Sequence, residues 1–144
     1  QTGEENAALD AYLAASERME SSPELKHNLL HAYARAGRHR EVVGMARSML
    51  ADGLSAEAAE RMGWAWFRLG EYDKSAEAYR LAVETDPDMW RAWNGLGVNA
   101  LNRWLLSDRS SDAALAEASA SFQASLRLHR NQKKVSQLVS QYGL

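Results

Sequence analysis

The chain has 144 residues, of which 46% are apolar and 25% charged, with a formal charge of −2 and no cysteine. That balance suits one compact unit with a real core and excludes disordered and disulfide-stapled classes as well as thiolate zinc sites. No apolar run approaches the roughly 18 residues that span a bilayer, and the N-terminus lacks the charged-then-apolar pattern of a signal peptide.

Only two prolines and abundant Ala, Glu, Leu and Arg point to an all-helical fold, because these side chains lose little freedom in a helix. Landmark residues recur at about 33 to 34 positions: Gly37 at Gly70, Tyr33 at Trp66, Gly63 at Gly97. One helix-turn-helix unit is therefore reused along the chain. Such arrays bind other proteins on extended surfaces.

In chain order, residues 1–20 form a leading helix with Ala8, Tyr12 and Ala15 inward, in the register of a unit's second helix. Its partner helix is absent and the chain opens on Gln1, so the array is expected to continue upstream in a parent protein, or this helix serves as a cap. The first repeat, 23–54, places Leu25, Leu29, Ala32 and Tyr33 on one stripe, ends that helix at Gly37, and lines a second helix with Val42, Met45, Ala46 and Met49. Ser55 is the expected N-cap of the second repeat, 55–87, in which Met62, Ala65, Trp66 and Leu69 face the core before Gly70 turns the chain. Ala76, Tyr79, Ala82 and Val83 line its second helix, and Asp86-Pro87 is expected to start the next one. The third repeat, 88–130, is enlarged: Gly97 to Ala118 spans 21 residues where Gly63 to Ser75 spans 12. About nine added residues lengthen both helices by roughly a turn each, with 107–112 as the connection and Ser111 or Asp112 as N-cap. Residues 131–144 form a capping helix with Val135, Leu138, Val139 and Tyr142 on one stripe.

The residues Gly63, Ala65, Gly70, Tyr72, Tyr79, Ala82 and Pro87 resemble the tetratricopeptide repeat, in which small residues permit close helix contact and aromatics fill the gaps. Ser75, where that family has Ala, and His39, where it has an aromatic, depart from the pattern. The resemblance implies an all-α solenoid of about seven helices in a right-handed superhelix, and it covers nearly the whole chain. It further implies a non-catalytic scaffold or adaptor that holds a protein or peptide partner in a concave groove lined by first helices. By register those groove residues are His27, His31, Arg35, Glu60, Trp64, Phe67, Arg68, Arg91, Asn94, Val98, Leu101 and Asn102. Trp64 and Phe67 either anchor an apolar partner side chain or are covered by a neighbouring helix.

One subclass grips the C-terminal carboxylate of chaperones with a Lys and an Asn one turn apart. His27 and His31 stand there instead, and only Arg91 matches a basic clamp position, so that role is not expected. His27 and His31 have metal-ligand spacing, but without a zinc-protease Glu or an evident third ligand no metal is expected. Gly95-Leu96-Gly97 follows no strand and serves helix packing rather than a nucleotide. Arg127, Arg130, Lys133 and Lys134 lack interleaved aromatics, so nucleic acid is not an expected partner. No nucleophile elbow or paired-carboxylate signature points to catalysis, and no cofactor is implied.

The run Arg91-Ala92-Trp93-Asn94-Gly95-Leu96-Gly97-Val98 is similar to a segment of bacterial tight-adherence pilus assembly lipoproteins, which are envelope-anchored tetratricopeptide proteins. That resemblance implies a pilus or secretion scaffold in the cell envelope. A regulatory or targeting domain of a larger enzyme, or a secretion chaperone, is the alternative, with the cytoplasm as the other compartment. Homo-oligomerisation is open.

Overall fold

The computed structural model describes residues 3–16, 22–53 and 55–144. Among the described residues eight helices follow one another: α1 (Gly3–Ser16), α2 (Pro23–Arg35), α3 (His39–Asp52), α4 (Ala56–Arg68), α5 (Tyr72–Thr85), α6 (Trp90–Leu106), α7 (Asp112–Leu128) and α8 (Lys133–Tyr142). That is one more than the seven or so expected. No strand occurs among the described residues.

Local chemistry sets the helix ends. Ser22, Ser55 and Ser111 each accept a backbone N–H three residues on, from Leu25, Ala58 and Ala114 at 3.1, 3.1 and 3.3 Å. Each such cap is worth about 1 kcal/mol. Gly37 (φ 69°) and Gly70 (φ 78°) sit in the left-handed region, and the next N–H reaches back to the carbonyl of Tyr33 or Trp66 at 2.9 Å in both units. This is the same 6→1 helix-ending turn made twice, one repeat apart. Asp86-Pro87 behaves differently from expectation. The Asp86 carboxylate accepts the Asp88 N–H at 3.0 Å, forming a turn, and α6 starts only at Trp90.

Successive helices pack in pairs, and the first helices α2, α4 and α6 also touch in sequence. In the third unit α6 and α7 have 17 residues each, against 13 and 14 for α4 and α5. The link between them carries Asp108 (φ 51°) and Arg109 (φ 62°).

Close approach of helices explains the small residues. A Cβ on Gly63 would lie 2.9 Å from the Tyr79 ring, and one on Gly95 would lie closer still to the same ring. A Cβ on Gly97 would lie 2.6 Å from Phe122. Tyr79 is thus gripped between α4 and α6, and Phe122 fills the equivalent gap in the third unit.

Three apolar clusters run along the array: one around Leu30, Tyr33, Val42 and Ala46, one around Tyr79, Ala82 and Leu96, and one around Ala100, Phe122 and Val135. Two expected core positions are corrected. On α1 it is Leu9 that is buried while Ala8 is exposed, and the Ala15 side chain lies outside the described residues. Trp66 is half-buried, with Arg47 and Lys74 over its ring, so it packs at the rim of the first cluster rather than inside it.

Candidate partner-binding groove

The sequence register places α4 and α6 side by side with their polar-aromatic faces toward one another. Between them lies a cavity of about 340 Å³ lined by Glu60, Trp64, Phe67, Arg68, Arg91, Asn94 and Val98, together with Tyr79 and Gly95. Seven of the twelve residues singled out from the sequence therefore share one cavity.

Its walls are apolar and its rim is cationic. Trp64 packs against both the first and second clusters and meets the His39 ring edge-on at 4.8 Å, so it supports the core and lines the cavity at once. Phe67 is half-buried and tilts against Tyr72 at 5.3 Å. Arg68 is exposed and makes no ion pair among the described residues. Arg91 is exposed and lies over the Trp90 ring. Glu60 is mostly buried, its side chain only 12% exposed. Burial pushes its carboxyl above the ordinary range, opposed by the nearby cations Arg61 and Arg91. Burial, reinforced by Arg68, pushes His39 down, so that ring is held neutral against Trp64.

Asn94 is less free than its register position suggests. Its side-chain amide donates to Gln132 Oε1 at 2.6 Å, while Gln132 Nε2 donates to Ser125 Oγ at 2.9 Å and to the His129 backbone carbonyl at 2.7 Å. This buried glutamine ties α6, α7 and the start of α8 together. Nothing in the periodic pattern marks it, because its partners lie 3 to 38 residues away.

Leu101 is buried, which corrects its assignment to the groove. By register it corresponds to Phe67, but it joins the third cluster with Val135 of α8. Asn102 is half-buried on α6 and lines neither major cavity. Trp104 is half-buried too, meeting Tyr142 of α8 edge-on at 6.0 Å beneath Arg109.

The remaining three predicted residues, His27, His31 and Arg35, line a second cavity of about 530 Å³ with Tyr12, Glu4 and Glu5 of α1. Across from them Glu57, in the first turn of α4, contacts His31 Nε2 at 2.8 Å and His27 Nδ1 at 3.4 Å. Glu57 escaped the sequence reading because it sits 26 residues from His31, on the next repeat's helix. Arg127, Arg130, Lys133 and Lys134 are exposed around the α7–α8 junction, outside both cavities.

Paired helices stacked side by side, with first helices lining a shared face, define an α-solenoid of tetratricopeptide type. Comparison with known proteins agrees. Small glutamine-rich tetratricopeptide repeat-containing protein 2 of Mycosarcoma maydis is 34% identical over 114 residues, 78% of this chain. The chain spans about a third of that relative, 32% of its length. A crystal structure of MamA superposes with a TM-score of 0.74 at 22% identity, covering 92% of this chain and 72% of that one, and the structure titled MamA MSR-1 C2 gives 0.71 at 12% identity, covering 89% and 69%. These likenesses show the fold. No family model matches the chain. The chain is thus a tetratricopeptide-type repeat array, the fold its small and aromatic residues resemble. Among the described residues no helix is long and apolar enough to cross a membrane.

Proposed function

We propose that this chain is a protein-interaction scaffold that seats an apolar side chain of a partner segment in the α4–α6 cavity, with Arg68 and Arg91 pairing to acidic groups beside it. The observation that carries this reading is the cavity itself: Trp64, Phe67 and Val98 form apolar walls directly beside two exposed guanidinium groups. Arginine at such a rim holds carboxylates or backbone carbonyls in a defined geometry. A rigid helical frame keeps the cost of ordering the site low, so few contacts suffice for specificity. The scaffold role accords with the tetratricopeptide relative. The finer setting, pilus or secretion-system assembly, is supported by the resemblance of the segment Arg91–Val98, four of whose residues, Arg91, Asn94, Gly95 and Val98, line the cavity.

The test is affinity capture from a lysate of the source organism with wild type and with Trp64→Ala/Phe67→Ala, after circular dichroism has matched their helicity. A partner held by wild type and lost by the variant supports the cavity. Equal capture by both refutes it as the binding site.

A further inference from the structure

We propose that His27, His31 and Glu57 form a binding site for a divalent transition-metal ion of the zinc type, linking the first helices of the first two repeats.

His27 and His31 are one turn apart on α2, their rings edge-on with centroids 4.6 Å apart. Glu57 approaches both from α4, one carboxylate oxygen 3.4 Å from His27 Nδ1 and the other 2.8 Å from His31 Nε2. One ligand atom from each residue can be chosen so that all three lie within 4.8 Å of one another. A tetrahedral ion with bonds of about 2.0–2.1 Å needs its ligand atoms about 3.3 Å apart. The two histidine–carboxylate separations lie near that value but run to different oxygens of Glu57, so the carboxylate turns to present one oxygen to the ion. The third contact closes by rotation of side chains that are 36 to 46% exposed and so able to turn.

The backbone beneath them is fixed. Ser22 caps α2 and Ser55 caps α4, which sets Glu57 in a capped first turn. Two imidazoles and one carboxylate suit zinc, nickel or copper rather than calcium or magnesium, which prefer all-oxygen shells. Three protein ligands leave a coordination position for water on the side of the 530 Å³ cavity, where Glu4 and Glu5 offset the charge of Arg35. As a plain contact between half-exposed side chains the trio contributes little. As a chelate it clamps α2 to α4, and this holds whether or not the α4–α6 cavity binds a partner.

The experiment is calorimetric titration of Zn²⁺ into the full chain, without a histidine tag and after treatment with a chelator, alongside thermal melting. One equivalent bound and a raised melting temperature are expected. His27→Gln, His31→Gln and Glu57→Gln should each weaken binding beyond the about 10–100-fold that loss of an outer-shell group costs, whereas His129→Gln should leave it unchanged. Circular dichroism checks that each variant folds, and Co²⁺ absorption bands weakened by the same three substitutions give a second readout. Absence of saturable binding to wild type, or equal binding by wild type and the three variants, overturns the site.

Discussion

Asn99 of α6 donates its side-chain amide to Ser75 Oγ of α5 at 2.9 Å, and that hydroxyl in turn donates to the Gly63 carbonyl of α4 at 2.7 Å. Ser75 and Asn99 are both buried, so three helices of two repeats are joined by a polar chain inside the packing. The serine that departs from the tetratricopeptide pattern is therefore matched by an asparagine 24 residues later. Ser75→Ala should cost about 1–3 kcal/mol, because it strands the Asn99 amide without a partner. Replacing both, as Ser75→Ala/Asn99→Leu, should recover much of that loss, since removing both polar partners leaves nothing unsatisfied. Urea denaturation of the two single variants and the double variant measures the coupling.

Three glycines to alanine should give three different results. Gly95→Ala places a methyl against the Tyr79 ring and should destabilise by about 1–3 kcal/mol. Gly63→Ala meets the same ring at 2.9 Å, with more room to give, and should cost less. Gly44→Ala, on α3 with nothing within 4 Å of the added carbon, should stabilise by about 0.5–1 kcal/mol. Thermal melts that rank the three differently would contradict the packing described around Tyr79.

Much of this packing was legible in the sequence because it is local and repeated. Gly37 and Gly70 end their helices with the same turn, Ser55 and Ser111 cap theirs, and Gly63, facing Tyr79, recurs at Gly97, facing Phe122. The residues gathered between α4 and α6 were also readable, since the register alone decides which face they share. What escaped lies where neighbours a repeat apart decide the outcome. Leu101 has the register of Phe67 but joins a cluster with Val135 of α8. Glu57 and Gln132 act through side-chain reach across helices, which periodicity does not encode. On α1, five alanines in fourteen residues blur the face, and Leu9 rather than Ala8 turns inward.

The buried Glu60 makes stability depend on pH. Its folded carboxyl is raised above its ordinary value of 4.5, chiefly by burial. The protonated form is thus favoured on folding, so this contribution is full below about pH 4.5 and is lost as the pH rises through the folded value. Glu60→Gln should therefore be more stable than wild type at pH 7 and equal to it at acidic pH below the carboxylate range. Melting curves across that range check it, and a variant less stable than wild type at pH 7 would contradict the assignment.

Charge reversal at the rim separates steering from seating. Arg68→Glu/Arg91→Glu should slow association with an acidic partner segment and weaken its dependence on salt, while Val98→Asp should mainly speed dissociation by placing a charge against the cavity wall. Surface plasmon resonance with the captured partner at two salt concentrations resolves the two effects.

The most direct measurement is site-specific photo-crosslinking. A photoreactive side chain at Val98, in the α4–α6 cavity, or at Glu84, exposed on α5, is activated in the presence of the partner. Crosslinks formed from Val98 and not from Glu84 are the predicted result. Crosslinks from Glu84 with none from Val98 would place the partner on the other face and contradict the account.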